Sequence, residues 1–379
     1  MKTIRIKSNN ILNAQIKEGY IYFANGKITA VTDKELPFDE QIDAKDDYLS
    51  AGFIDCHTHG GVDCDFSCCS KDGVVSACNY HFKHGTTAIL PTVLSSDKPT
   101  MLRALDSIKN ASHDEKLHSQ IVGAHLEGPY FSLNQSGAQN PRFITPPIES
   151  DYTEIVEKYP GLIKKWSYAP ERDEGEKFYD YLVKNDILPS IGHSDSTLEQ
   201  MQKAIDKGLN NVTHLYSCTS TITREKGFRR LGIIETAYLY DNFFVELITD
   251  GKHIPLDLIK LAFKLKGAEK IMLVTDSLSV AGSGKSCGCN NGIDFIVEDG
   301  VAKLLDRSAF AGSVSTMDIL IKRCVEAGIA LSDAVTSATK TPAQSLGLNK
   351  GQLKQGFDAD FVIFDKDINI KKVISNGRI

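Results

Sequence analysis

Gly52-Phe53-Ile54-Asp55-Cys56-His57-Thr58-His59 is a short apolar run that passes directly into two histidines one residue apart. A run of this length, bounded by polar residues, reads as a buried strand. The same rhythm recurs down the chain. Apolar runs at 87–90, 121–124, 165–168, 188–191, 211–213, 244–248 and 271–274 alternate with longer amphipathic, charged stretches. With 52–55 that makes eight strands separated by helices, and the natural reading is α/β, a (β/α)8 TIM-type barrel.

The polar residues follow the strands. His57 and His59, His125 and Glu127, Glu171, His193, His214, Asp250 and His253, and Asp276 each lie just beyond a run. Barrel enzymes place their catalytic groups at the C-terminal strand ends, and a random scatter of polar residues would not track those ends. Outside the barrel, Ile4-Arg5-Ile6-Lys7 and Tyr20-Ile21-Tyr22-Phe23 alternate, Asn25-Gly26 signals a hairpin, and Phe361-Val362-Ile363-Phe364 reads as a buried strand. The expected organisation is a small β module built from residues 1–50 and 345–379, around a barrel spanning 51–344.

His57-Thr58-His59 puts two imidazoles on the same side of a strand, where both can bind one ion. Alone, the pair is equally compatible with two histidines packed at a barrel mouth. Glu127, His193 and His214 at later strand ends change that balance. A carboxylate and imidazoles form a mixed oxygen and nitrogen set with room for a water. His125 competes with Glu127, two residues away and on the same face, and Glu127 ranks modestly ahead. Asp276 follows Leu273-Val274-Thr275. A carboxylate there can take a proton from an attacking water and return it to a leaving group, or it can serve as an Asx turn or helix cap. His81 and His84 read as surface or helix-end residues, and Cys287 and Cys289 as reduced thiols in a glycine-rich loop.

Composition narrows the function classes. The 379 residues carry a net charge of −6 and no basic stretch, so nucleic acid is not an expected partner. No apolar run approaches the roughly 20 residues of a membrane span. The first residues lack a signal-peptide core, and nine cysteines without framework spacing read as free thiols. Both point to the cytoplasm.

The longer motifs then match a family. Ala51-Gly52-Phe53-Ile54-Asp55, His125-Leu126-Glu127-Gly128-Pro129, Ala169-Pro170-Glu171, Gly192-His193-Ser194, Thr213-His214-Leu215-Tyr216, Asp250-Gly251 with His253, and Val274-Thr275-Asp276 occur in one order along the chain. They continue through Ala311-Gly312-Ser313 to Gly356-Phe357-Asp358-Ala359-Asp360. In these motifs the chain resembles the N-acetylglucosamine-6-phosphate deacetylases of the amidohydrolase superfamily. The resemblance implies a barrel with a small β-sandwich domain, usually as a homodimer. It implies metal binding by Glu127, His193 and His214, with Asp276 as acid and base. Some members hold a second metal, and the retained His57 and His59 leave one or two divalent ions open, zinc first, with iron, manganese or cobalt as alternatives. The resemblance also assigns the sugar phosphate to His253 and Arg224, the latter reaching a neighbouring subunit's site. Without the resemblance, Arg224 is an ordinary surface arginine beside Glu225.

The sequence departs from the family pattern at substrate-contacting positions. Gln139 stands in Gly137-Ala138-Gln139-Asn140-Pro141, where the family usually has histidine. Gln139 can donate a neutral hydrogen bond but cannot carry a proton. Ser217 and Cys218 follow Tyr216 where Asn-Ala is usual, and the loop to Arg224 is one residue short. The expected activity is hydrolysis of the acetamido group of an amino-sugar phosphate, N-acetylglucosamine 6-phosphate first. The alternatives are a related sugar such as N-acetylgalactosamine 6-phosphate, another amidohydrolase substrate, or a non-catalytic metal-stabilised binding protein.

Overall fold

Strands form at all eight expected positions: Phe53–Thr58, Thr86–Leu94, Ala124–Glu127, Ile163–Tyr168, Leu188–Ile191, Asn211–Val212, Phe244–Leu247 and Ile271–Leu273. The computed structural model describes residues 2–378; Met1 and Ile379, the outermost residues of the expected terminal module, lie outside them. These strands pair in chain order, every pairing parallel. The circle is joined between the last strand and the first by backbone, where Asp276 N donates to His57 O at 2.9 Å.

Three strands run well past their expected ends. The first contains His57, the second continues to Leu94, and the third runs from Ala124 through Glu127 instead of stopping before it. A short segment, Gln120–Ile121, pairs lower on the second strand before the chain steps into the third. Reading by apolar runs halts at the first polar residue. Pairing continues because polar side chains facing the barrel interior find partners there, such as Thr92 Oγ1 against His125 Nδ1 at 3.1 Å.

The helices bury one stripe each. In Lys98–Ala111 the buried positions are Met101, Ala104, Leu105, Ile108 and Ala111, at the three- and four-residue spacing of one helical face. Asp97 caps its start by accepting from Thr100 N at 2.8 Å, a bond worth about 1 kcal/mol. In Lys71–Lys83 the same geometry corrects the expectation for His81. It follows Val74, Ala77 and Cys78 on the inward face and is fully buried.

The chain's two ends form two four-stranded sheets, Lys27–Thr32, Gly19–Ala24, Ile4–Ser8 and Glu40–Asp43 in one, and Asn10–Ile11, Tyr48–Ala51, Phe361–Phe364 and Ile370–Ile374 in the other. Ile6, Ile21, Phe23, Leu49, Phe361 and Ile363 fill the space between them, giving a β-sandwich. A further four-stranded antiparallel sheet, Cys287–Asn290, Ile293–Glu298, Val301–Leu304 and Phe310–Gly312, follows the eighth barrel strand. Cys287 and Cys289 are therefore strand residues, both exposed, and not residues of a glycine-rich loop.

The cysteines also depart from expectation. Cys64 and Cys69 are disulfide-paired, with Cα atoms 5.6 Å apart, and the other seven are free. The turn after His59 explains the pairing: Phe66 N returns to His59 O, and Cys69 N bonds Asp65 O, folding the segment back on itself. Among the described residues no helix is long and apolar enough to cross a membrane.

Candidate active site

The barrel interior brings four imidazoles around one carboxylate. Glu127 Oε1 lies 3.2 Å from His193 Nε2, 3.0 Å from His214 Nε2 and 3.4 Å from His57 Nε2. Glu127 Oε2 lies 3.3 Å from His59 Nε2. The imidazole nitrogens approach one another in pairs, His57 with His59 at 3.3 Å and His193 with His214 at 3.2 Å. Asp276 Oδ1 completes the group, 3.0 Å from His59 Nε2 and 3.6 Å from His57 Nε2. His57, His59, Glu127 and His214 are at most 3% exposed, and His193 and Asp276 little more.

This donor set fits divalent metal. Ligand atoms bound tetrahedrally at about 2.0–2.1 Å stand roughly 3.3 Å apart, which is the spacing of both imidazole pairs. Two overlapping groups can each surround an ion, His57 with Glu127 and His214, and His57 with His59 and Asp276. His57 belongs to both, and the two oxygens of Glu127 face different histidines.

The surroundings aim these side chains. His193 Nδ1 bonds Gln135 O at 2.8 Å, leaving Nε2 for the centre. His57 Nδ1 bonds Glu246 Oε2 at 3.1 Å. Glu171 accepts from Ser194 Oγ and Asp195 N, both at 2.6 Å, and so fixes the turn that carries His193. Trp166 Nε1 donates to Gly128 O at 2.8 Å and holds the chain just after Glu127. Gly128 has φ of +89°, and a Cβ there would sit 2.2 Å from Ser95 Oγ, so no other residue fits without displacement. His193, His214 and Asp276 themselves have positive φ, 46°, 28° and 47°. Such backbone costs on the order of 1–3 kcal/mol per residue and persists where neighbouring contacts enforce it.

Electrostatics follow from the same packing. Burial alone would raise the Glu127 carboxyl, but His57, His193 and His214 outweigh it and hold it well below the usual carboxylate range. Burial would raise Asp276 too, yet His59 and His57 bring it below its ordinary value. Burial also works against Glu246, but Lys165 and His57 hold it down at about 2. Burial and then Lys165 depress His125. That residue sits one layer deeper, its Nε2 against Ser167 Oγ at 2.7 Å, so it does not take the place of Glu127.

The cleft above this cluster, about 250 Å³, is lined by Gln139, Ser217, Cys218 and His253, among others. Gln139 is turned by its own bonds: Oε1 accepts from Ser95 N at 3.0 Å and Nε2 donates to Glu127 Oε2 at 2.7 Å. It thus touches a ligand candidate directly. His253 Nδ1 bonds Asp250 Oδ2 at 2.8 Å. Opposite, the extra sheet contributes Ile293, Phe295 and Phe310 as an apolar wall. Arg224 is not brought into this cleft. It lies on an exposed hairpin, Thr223–Glu225 with Phe228–Arg230.

Three features escaped sequence reading. The Lys165–Glu246 pair is fully buried beneath His57, and its only signal was a charge inside each apolar strand run. The extra sheet was marked by the turn pairs Asn291-Gly292 and Asp299-Gly300. His81 was marked by helical spacing from Val74 and Ala77.

A parallel barrel with a histidine and carboxylate cluster at its strand ends defines a metal-dependent hydrolase. Residues 48–379 match the model of the amidohydrolase family. An N-acetylglucosamine-6-phosphate deacetylase of Lysinibacillus sphaericus is 30% identical, over 99% of this chain and 97% of the relative. An N-acetylgalactosamine-6-phosphate deacetylase of Shewanella sp. is 30% identical over 87% and 82%. A mutant N-acetyl-D-glucosamine-6-phosphate deacetylase of Mycobacterium smegmatis, solved with N-acetyl-D-glucosamine-6-phosphate, superposes with a TM-score of 0.91 at 26% identity, covering 100% of this chain and 99% of that one. The chain belongs to the amidohydrolase family, among its N-acetylglucosamine-6-phosphate deacetylases.

Proposed function

We propose that the enzyme hydrolyses the acetamido group of N-acetylglucosamine 6-phosphate, releasing acetate and glucosamine 6-phosphate. The observation that carries this reading is Asp276 poised beside a histidine and carboxylate cluster at the floor of a sugar-sized cleft. Glu127, His193 and His214 would hold one divalent ion, zinc first among the candidates, and His57 and His59 a second. Bound metal supplies a lowered water pKa and polarises the acetyl carbonyl.

The chain's own groups do the rest. Asp276 accepts the proton of the attacking water and returns it to the nitrogen as the carbon–nitrogen bond breaks, so a neutral amine departs. Gln139 spends one amide hydrogen on Glu127 and keeps another for the acetyl oxygen. His253, its Nδ1 held by Asp250, offers Nε2 to the sugar phosphate. Arg224 joins it from a second copy of the chain. Its hairpin is exposed and displays Phe228 at 73% and Ile222 at 51% exposure, apolar surface suited to burial in a homodimer.

Gln139, Ser217 and Cys218 favour a second reading, a neighbouring sugar such as N-acetylgalactosamine 6-phosphate. Turnover of metal-loaded protein on a panel of phosphorylated and unphosphorylated N-acetyl sugars decides between them. A preference for N-acetylglucosamine 6-phosphate is expected. Equal turnover of the unphosphorylated sugar would remove the roles given to Arg224 and His253.

A further inference from the structure

Beneath the metal-ligand candidates lies a charged pair that the proposed chemistry does not use. Lys165, on the fourth barrel strand, and Glu246, on the seventh, form an ion pair in which both side chains are at most 1% exposed. Two charges so far from water are costly unless each has an assigned partner. Among the described residues, Lys165 bonds Glu246 alone. Glu246 has more: Oε1 lies 3.7 Å from Cys56 Sγ, and Oε2 meets both His57 Nδ1 at 3.1 Å and His214 N at 3.3 Å.

These contacts reach both halves of the site at once. A neutral imidazole donates only one hydrogen bond, and His57 stands between two carboxylates, Glu246 at Nδ1 and Glu127 at Nε2. If Glu127 took the proton, Nε2 would be blocked as a ligand. Glu246 has its charge secured by Lys165 and lies on the ring edge opposite Asp276, so it claims the proton without entering the reacting space. Its bond to the His214 backbone fixes the other half-site to the same anchor.

We infer that Glu246, anchored by Lys165, is a positioning residue that keeps the His57 proton on Nδ1 and turns Nε2 toward the ion shared with His59 and Asp276. The inference rests on the reading that His57 and His59 hold a second ion. Removing a carboxylate behind a ligating histidine weakens metal binding by about 10- to 100-fold.

The test compares wild type, Glu246→Gln, the charge-neutral double variant Lys165→Met with Glu246→Gln, and His57→Ala. Each is stripped, dialysed against graded free zinc and assayed for bound metal, with far-UV circular dichroism as the folding control. Wild type should bind two equivalents and His57→Ala one. Both Glu246 variants should bind the second equivalent about 10- to 100-fold more weakly, with a smaller loss at the first through the His214 backbone contact. In zinc-loaded wild type labelled with nitrogen-15 histidine, His57 should carry its proton on Nδ1. A double variant that binds the second equivalent as wild type does, or a wild-type His57 protonated at Nε2, would overturn the inference. If the variants do not fold, the wild-type tautomer decides alone. Wild type binding one equivalent, unaltered in His57→Ala, would instead refute the second ion and leave the tautomer to judge Glu246.

Discussion

Acidification should destabilise this protein through one imidazole outside the metal cluster. His81 is fully buried, and its Nε2 donates to Gly60 O at 2.8 Å, directly after the His57 and His59 pair. Burial pushes His81 down from 6.5 to about 4, despite the opposing bond to Gly60. The folded state therefore holds a neutral ring where the unfolded chain would take a proton. Above pH 6.5 both states are neutral and the full stability is present. As pH falls from about 6.5 to about 4, the unfolded state gains the proton first and stability is lost. At 1.36 kcal/mol per pH unit the loss by pH 4 is about 3 kcal/mol. That is a large share of the 5–15 kcal/mol typical of a folded domain. The assay is urea unfolding of metal-free wild type and His81→Gln from pH 7.5 to 4. The variant keeps a donor but does not titrate, so the difference between the two curves isolates His81 from every other group. Wild type should lose about 3 kcal/mol more than the variant. Curves that stay parallel across the range would refute the reasoning.

Other outcomes follow from the site. Asp276→Asn should lower kcat by about 10²- to 10⁴-fold with the first metal equivalent retained, measured as released amine alongside metal analysis; near-normal turnover would remove Asp276 as acid and base. Gln139→Leu deletes the 2.7 Å bond to Glu127 and should weaken the first metal equivalent by about tenfold, read by competition with a chelator. Arg224→Ala should raise KM for the phosphorylated sugar by about 10-fold or more, as expected for losing a charged hydrogen bond, while leaving an unphosphorylated N-acetyl sugar unaffected. Mixing Arg224→Ala with an Asp276→Asn partner should restore part of the activity if the arginine acts across subunits, and no recovery would place it within its own chain.

The barrel was legible because its strands are short apolar runs and its polar residues cluster at one end of them. The ligand candidates were legible for the same reason, since His57, Glu127, His193 and His214 each lie at a strand end or just beyond it. What lay deeper was not. Lys165 and Glu246 are 81 residues apart, and neither charge has a partner until the barrel closes around them. His125 and Glu127 are equivalent by strand alternation. Only the neighbouring strands show that His125 is consumed by Thr92 and Ser167. The extra sheet carried two good turn signals at Asn291-Gly292 and Asp299-Gly300. The glycines nearby mask them, because glycine density marks loops and tight hairpins alike. His81 shows the reverse problem, a polar residue whose helical register outweighs its chemistry.

The backbone bond from Asp276 to His57 has a temporal meaning as well as a geometric one. The segments it joins are 219 residues apart, as the neighbouring contact from Thr58 to Ser277 records. Contacts of that span carry a loop-closure cost that pairings between neighbouring barrel strands do not. Asp276 and the histidine pair therefore come together only when the first and eighth strands meet. A chain opened at that seam alone would keep Glu127, His193 and His214, whose strands lie between those two, but would have no Asp276 beside His59. Premature metal capture would then yield a loaded but idle protein, and catalytic competence becomes a readout that the ring has shut.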